Sequence, residues 1–219
     1  MRIKSRIAAA SLTGVAAAAM VAVPLASAHS DHKANVKTVR SGSTAVNLPA
    51  AVLSAITGDG ITPTVVGPGQ GLAGPAGSLY TVFPVTGGKV KFSAGSIAGG
   101  NIEHSGGLDF AGKIGGKPAD LKITKFNINL ATGTISARTT LTVGSSVTKL
   151  GRVDVFQLAG VSASVKGRIV SGAATSVNLT AASAGALNKL GTSSSAFTVG
   201  ETVGSASFVA AVGGHHHRR

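Results

Sequence analysis

The sequence predicts a mainly β protein: an antiparallel β-sandwich or barrel-like domain with two short flanking helices. Glycine makes up 31 of the 219 residues and is spread among β-branched residues, which favours many short strands joined by tight turns. From Leu79 onward, apolar and polar residues alternate with a period of two, as in half-buried strands. Two segments combine an apolar run with helix start and stop signals, and they flank the alternating region.

The first 28 residues predict a secretory signal peptide. Arg2, Lys4 and Arg6 form a basic start. Residues 7–23 are apolar, and Ala26-Ser27-Ala28 places small residues before a cleavage site. The apolar run is marginal for a membrane span, so we expect cleavage rather than a retained anchor. The mature chain is expected to be secreted or extracellular and associated with the cell envelope, with no transmembrane anchor.

The rest of the chain has a length suited to one domain. Residues 29–44 lack apolar periodicity and predict a disordered leader. Residues 45–212 predict a single β domain, and residues 213–219 predict a tail of histidine and arginine. With seven phenylalanines, one tyrosine and no tryptophan, the core must be built mostly from valine, isoleucine, leucine and alanine.

Two short helices are predicted at the flanks of the alternating region. The first covers residues 50–56, because Pro49 suits the start of a helix and Gly58 stops it. The second covers residues 181–190, and Thr180 precedes it as an N-cap.

Strands are predicted wherever alternation runs between turn signals. Residues 67–77 are rich in glycine and proline and predict a loop, and Gly87-Gly88 predicts a tight turn between two strands. Outside the central hairpin, the predicted strands cover residues 79–85, 89–92, 102–110, 153–158, 161–170 and 205–212.

The clearest hairpin lies at the centre of the predicted domain. Residues 121–130 alternate, Thr132-Gly133 makes a turn, and residues 135–143 return as the paired strand. In the first strand the alternation slips by one residue at Thr124-Lys125. Such a slip predicts a β-bulge, because one extra residue restores the inward direction of the apolar side chains.

The motifs that carry catalysis or nucleotide binding are missing or incomplete. The chain has no cysteine, which excludes thiol chemistry and thiolate metal sites. Gly107 to Lys113 imitates a phosphate-binding loop, but Ile114 stands where serine or threonine must bind magnesium. The seven acidic residues are scattered singly and suggest no catalytic pair. We therefore expect that the protein is not an enzyme.

The chain is strongly basic. Its net charge of +13 falls to +10 without the three basic residues of the signal segment. Such a surface favours an anionic partner, and the candidates are an envelope polymer, a lipid headgroup and a ligand that carries propionates. The alternative is that basic side chains only keep a valine-rich surface soluble. No nucleic acid partner is expected, because no basic patch contains interleaved aromatic residues.

His104 is the one histidine inside the predicted β domain. The others lie in the leader, at His29 and His32, and in the tail, at residues 215–217. Imidazoles without a rigid surrounding bind metal ions only weakly. The glycines at 106 and 107 allow a flat ligand to approach His104 closely. Two interpretations stay open: a hydrogen-bonded histidine of a strand, or a ligand of a metal or cofactor.

Several stretches of the central block combine into one pattern: a Gly-Gly segment, a histidine next to Gly-Gly-Leu, a strand that ends in a Gly-Thr hairpin, and a closing strand with an alanine-rich helix. They are Thr86-Gly87-Gly88, Ile102 to Leu108, Leu121 to Asn129, Gly133 to Ala137, and Val177 to Ala186. This pattern resembles the HtaA-type domain of actinobacterial haem-uptake proteins, over about residues 79–208. The resemblance implies a secreted or surface β-rich domain that holds haem.

The resemblance also implies site residues. In that family, a tyrosine of an early helical segment binds the haem iron, and a histidine near the Gly-Gly-Leu motif supports it. His104 falls on or next to the second position, whereas residues 46–56 take the early place and contain no tyrosine. The lone Tyr80 is then the second candidate metal ligand beside His104. Under this haem hypothesis the porphyrin packs against Phe83, Phe92 and Phe110.

The alternative hypothesis is a structural or interaction protein of the cell envelope that keeps the fold without a haem site. Its contacts with an anionic polymer would be basic strand faces at Lys89, Lys91 and Lys122. Under the haem hypothesis, Lys89 or Lys91 pairs instead with a propionate. A pocket shared by Tyr80 and His104 would favour haem.

Overall fold

The computed structural model describes residues 35–93 and 96–213, so the predicted signal peptide, residues 29–34 and residues 214–219 lie outside the described part. The elements are β1 (Asn35–Leu48), α1 (Ala50–Gly58), β2 (Thr62–Val66), β3 (Gln70–Ala73), a 3-10 turn (Pro75–Gly77), β4 (Leu79–Ser93), β5 (Ser96–His104), β6 (Gly107–Ile114), β7 (Lys117–Asn129), β8 (Thr134–Val143), β9 (Ser146–Lys166), β10 (Ile169–Leu179), α2 (Ala181–Leu190) and β11 (Thr202–Gly213). Neither described helix is long and apolar enough to cross a membrane.

Within these residues the sheet closes on itself. Hydrogen-bonded neighbours run from β7 through β5, β4, β1, β11, β10, β9 and β8, and β8 pairs again with β7. Each of these pairings is antiparallel. Strands β6 and β2 continue from β7 beside this ring, and β3 pairs with β4. The predicted fold class, antiparallel and barrel-like with two short helices, is confirmed.

The predicted central hairpin and its bulge are both present. β7 pairs with β8 on either side of a register shift between Thr124 and Asn127. Lys125, inside the shift, has a positive φ of 53°. Ile123 and Phe126, which have opposite parity in the sequence, are both buried in the core. The bulge therefore keeps two apolar runs of different parity on the inner face of one strand.

The predicted turn at Gly87-Gly88 is wrong, because β4 runs through both glycines to Ser93. In the ladder with β5, Gly88 lies opposite Ile102, and Gly100 lies opposite Val90. Both Gly88 and Gly100 have positive φ values, 122° and 118°, and a Cβ on either would overlap a backbone carbonyl of the partner strand. These glycines allow a close approach of two strands rather than a change of chain direction.

The predicted leader and the predicted loop are partly strand. β1 begins at Asn35, so residues 35–44 belong to the folded domain. Alternation is weak there, but β1 pairs with β11 on one side and with β4 on the other, and these ladders satisfy its backbone groups. Inside the predicted loop, Gln70–Ala73 pairs with β4 in the same way.

Both helices lie at the end of the ring where β1 and β10 terminate. The predicted N-cap of α2 is confirmed: Thr180 Oγ1 accepts the Ser183 N–H, and Ser183 Oγ accepts the Thr180 N–H, which completes a capping box. The Thr180 hydroxyl also donates to the carbonyl oxygen of Asp154 at 2.8 Å. This bond ties the start of α2 to strand β9.

A buried carboxylate connects the two helices. Asp59, just after α1, accepts hydrogen bonds from the Thr192 hydroxyl at 2.9 Å and from the Ser193 N–H at 2.8 Å, just beyond α2. Burial by itself raises the pKa of the Asp59 carboxyl, but these hydrogen bonds outweigh burial and lower it below its ordinary value. Gly191 is needed beside it, since a Cβ there would overlap a carboxylate oxygen.

Removal of the cap of α2 is expected to destabilise the domain. Thr180→Ala should lower the free energy of unfolding by about 1–2 kcal/mol, because the N-cap acceptor and the bond to Asp154 are both lost. Thr180→Ser keeps the hydroxyl and should retain most of that stability. Urea denaturation followed by circular dichroism measures both variants, and equal losses in the two would contradict the capping role.

Candidate functional site

An apolar cavity of about 140 Å³ lies inside the ring, beneath the two helices. Aliphatic and aromatic side chains line it, among them Phe83, Phe110, Phe126 and Phe156. Phe83 and Phe126 meet edge to face, with ring centroids 5.1 Å apart. An engineered apolar cavity of about 150 Å³ stays dry and binds benzene, so a space of this size and lining suits an apolar ligand rather than water.

Two buried polar side chains meet at the wall of this cavity. His104 ends β5 and Thr44 lies in β1, and strand β4 separates them in the sheet. His104 Nε2 is 2.6 Å from Thr44 Oγ1, and His104 Nδ1 is 3.3 Å from the carbonyl oxygen of Phe126. Each of the two residues is only 4% exposed, so water does not compete for these hydrogen bonds.

The partners of His104 assign its tautomer. The carbonyl oxygen of Phe126 can only accept a hydrogen bond, so Nδ1 must carry the proton. In the neutral ring, Nε2 then holds the lone pair and accepts the hydrogen bond that the Thr44 hydroxyl donates. This is the arrangement of metal-binding histidines, which donate their second ring N–H to a carbonyl or carboxylate.

Burial also keeps His104 neutral. It lowers the pKa of the imidazole from 6.5 to about 4, although hydrogen bonds to the backbone of Phe126 and Ile102 act in the opposite direction. At neutral pH no proton therefore occupies Nε2. The cavity thus contains one unprotonated ring nitrogen in otherwise apolar surroundings. Within residues 35–93 and 96–213, no three histidine, aspartate or glutamate side chains gather into a metal site.

Solved structures with a similar architecture come from Corynebacterium glutamicum. The C-terminal domain of HtaA is 22% identical and has a TM-score of 0.56; the alignment covers 81% of this chain and 99% of that domain. The chain has the HtaA-domain fold. The heme binding protein HtaB, at 10% identity, and the N-terminal domain of HtaA, at 14%, cover 82% and 80% of this chain and 96% and 99% of their own lengths. Their TM-scores of 0.48 and 0.46 are too low to support the fold assignment.

No known family's sequence profile matches the chain, and no curated protein matches it in sequence. The HtaA-type fold that the sequence resemblance implies is nevertheless confirmed by the structural comparison. At 22% identity this comparison establishes the fold alone.

Three of the five expected site residues meet at the cavity, namely His104, Phe83 and Phe110. Tyr80 is 37% exposed and lies on the opposite face of β4 from Phe83, paired with Leu72 of β3. Phe92 is buried elsewhere, with the Lys37 Nζ 5.4 Å from its ring centroid. Tyr80 and Phe92 do not line the cavity, so Tyr80 and His104 do not share it.

The basic residues named from the sequence lie outside the cavity. Lys89 and Lys91 alternate with Val90, which is fully buried, and so extend from the outer face of β4. Lys122 lies on the outer face of β7 and forms an ion pair with Asp109 at 3.6 Å. None of these three lysines is placed to contact a ligand next to His104.

Sequence reasoning misses Thr44 altogether, because this residue lies in the segment predicted to be a leader. The resemblance implies a tyrosine hydroxyl next to the supporting histidine, whereas here the hydroxyl that meets His104 belongs to Thr44. Phe126 and Phe156 are also missing from the expected set. The alternation of the predicted strands 121–130 and 153–158 marks both as apolar strand residues, but no local signal indicates that they share a cavity with His104.

The buried histidine predicts a loss of stability in acid. The unfolded chain has an ordinary imidazole pKa near 6.5 and the folded chain about 4, so between these values the unfolded chain binds more protons. Above pH 6.5, His104 should therefore cause no loss in the free energy of unfolding. As the pH is lowered to 4, the free energy of unfolding should fall by about 3 kcal/mol.

The control for this prediction is His104→Gln, which removes the titrating group. Chemical denaturation at several pH values between 7 and 4 measures both proteins, and subtraction removes the contribution of carboxylates that titrate in the same range. Parallel pH profiles for the two proteins would show that His104 is not held neutral by the fold.

Proposed function

We propose that this chain is an exported, non-enzymatic ligand-binding domain of the haem-uptake type, and that the cavity next to His104 receives haem. The observation that carries the proposal is the unprotonated Nε2 of His104 at the wall of a cavity lined with phenylalanine. The HtaA-domain fold and the sequence resemblance to haem-uptake domains support the same ligand. The signal-like residues 1–28 support export.

The donor set of the cavity offers one nitrogen that could hold the iron of a porphyrin. His104 presents Nε2, and the carbonyl oxygen of Phe126 holds the opposite ring N–H in place. The Thr44 hydroxyl would have to release Nε2 before the nitrogen could bind a metal. Bound haem would supply a Lewis-acidic iron centre; His104 would hold it through Nε2, and Phe83 and Phe110 would supply apolar contact surface.

The cavity is small for a porphyrin. Its volume of about 140 Å³ is below the range of about 300–1,000 Å³ that is common for ligand pockets. A porphyrin therefore needs the cavity to widen. The lining residues with the greatest exposure are Leu150 of β9 and Ala182 of α2, so the opening lies between that strand and that helix.

Haemin titration of the mature chain tests this proposal. A saturable shift of the Soret band is expected at one haemin per chain, and His104→Ala should weaken binding at least about tenfold, or about 1.4 kcal/mol, because the iron loses its nitrogen ligand. Thr44→Val should bind as tightly as the original chain or more tightly, since Nε2 is then free.

Tyr80→Phe is the matched control, because the Tyr80 side chain does not line the cavity. Its titration should be indistinguishable from that of the original chain. A featureless titration of the original chain at micromolar protein would remove haem as the ligand. If Tyr80→Phe lost haemin binding and His104→Ala kept it, the iron site would be at Tyr80 and not in the cavity.

The second candidate function is contact with an anionic component of the cell envelope. On the outer face of β8 and β9, Arg138 and Arg152 are directly opposite each other in the ladder. Like charges in this position repel each other. The Arg152 guanidinium donates hydrogen bonds to the carbonyl oxygens of Lys125 and Ser136, so the pair presents two positive charges side by side on this face. Lys122 and Lys149 flank the pair, one on each side of Thr140. Among the described residues, neither arginine forms an ion pair with a carboxylate.

Binding to isolated cell envelopes tests this second candidate. The double variant Arg138→Ser/Lys149→Ser, which keeps the hydrogen bonds of Arg152 at the β7 bulge, should release most of the bound protein. The variant Lys166→Ser/Arg168→Ser, which removes the same charge from the end of the β9–β10 hairpin, should not. Binding of the original chain should also fall in 1 M salt, where screening acts over about 3 Å. If the two double variants released equal amounts of protein, envelope binding would depend on net charge alone and not on this face of β8 and β9.

A further inference from the structure

The cavity has one side where its lining reaches solvent. Leu150 is 48% exposed and Ala182 is also exposed, although both line the cavity. Val153 and Phe156 of β9 and Ala186 of α2, which line the same side, are half-buried. His104, at the far wall, is buried. The opening is therefore a slot between β9 and the first two turns of α2.

The strand side of this slot is shaped by a β-bulge. β8 and β9 pair Thr139 with Gly151 and Thr140 with Lys149, so Leu150 is the extra residue. Thr139 lines the cavity, and Gly151, opposite it in the ladder, is exposed. A Cβ at Gly151 would meet no atom within 4 Å. Bulges re-aim side chains next to binding sites, and this one leaves Leu150 at the rim with open space beside it.

The helix side of the slot is built from small residues. Ala182 and Ala186 are the residues of α2 that face the opening, one helical turn apart. Gly185 lies between them, and a Cβ on it would also meet no atom within 4 Å. The two residues of α2 on this side of the cavity therefore contribute only methyl groups.

Side-chain hydrogen bonds fix α2 at its two ends. At its start, the Thr180 hydroxyl donates to the carbonyl oxygen of Asp154. Near its end, the Asn188 side chain donates to the carbonyl oxygen of Phe197 and accepts the N–H of the same residue, each at 2.8 Å. Neither anchor involves Ala182 or Ala186, so substitutions at these two residues leave both anchors intact.

We infer that this slot is the entrance of the cavity for an apolar ligand, and that Leu150 and Ala182, the two exposed residues of its lining, set the rate of entry. The inference rests on the proposed function, in which the cavity receives haem, and adds the route and the residues that control it.

Association kinetics test the entrance. Stopped-flow mixing with haemin, followed at the Soret band, should show that Ala182→Trp and Leu150→Trp lower the association rate constant at least tenfold, because an indole fills the gap. Leu150→Ala should raise it. Ala181→Trp is the control, since Ala181 is the exposed neighbour on the same helix and does not line the cavity. Circular dichroism checks that each variant is folded.

A second probe separates this inference from the proposed function. Naphthalene is planar and apolar and needs no iron ligand; its protection from iodide quenching reports entry into the cavity. If haemin does not bind but Ala182→Trp slows naphthalene entry and Ala181→Trp does not, the haem proposal fails and the entrance stands. If His104→Ala weakens haemin binding while Ala182→Trp and Leu150→Trp admit both probes at the original rate, the proposed function stands and the entrance is overturned.

Discussion

The β-bulge in β7 is the constraint on which both the fold and the candidate site depend. Before the bulge, one edge of β7 pairs with β6; after it, the same edge pairs with β5, while β8 continues along the other edge. Lys125 at the bulge donates its N–H to the carbonyl oxygen of Gly106 at 3.0 Å and accepts a bond from the Arg152 guanidinium at 3.3 Å. The bulge is thus the place where the sheet changes partner and closes into a ring.

The same bulge creates the environment of His104. Phe126 falls inside the register shift, so its carbonyl oxygen is outside the ladder between β7 and β8 and can accept the Nδ1–H of His104. The tautomer of the ring, the direction of its lone pair and its bond with Thr44 all follow from that contact. Apolar pockets use a small number of polar groups to orient their ligands, and here the polar residues of the lining are His104, Thr44, Thr81, Thr139 and Ser183.

Local sequence predicted the parts of this architecture whose signals lie within a few residues. The hairpin of β7 and β8, the bulge at Lys125 and the capped helix α2 depend on alternation, on a parity slip and on a threonine before an alanine-rich run. Gly88 and Gly100 show the limit of such signals, because a glycine that permits close strand approach looks the same in the sequence as one that turns the chain. Residues 35–44 show the same limit of local signals, because pairing with the distant strands β4 and β11 stabilises them as a strand.

By itself, the sequence determined a basic chain with a light apolar core, an antiparallel sheet, two short helices and a single histidine within the fold. Only the tertiary structure decided which side chains surround that histidine. It placed Thr44, 60 residues away in the chain, on Nε2, and it turned Tyr80 to the outer face of β4. The physical reason is that strand registers and bulges, set by pairings between distant segments, determine which face each side chain occupies, and a shift of one residue exchanges the two faces.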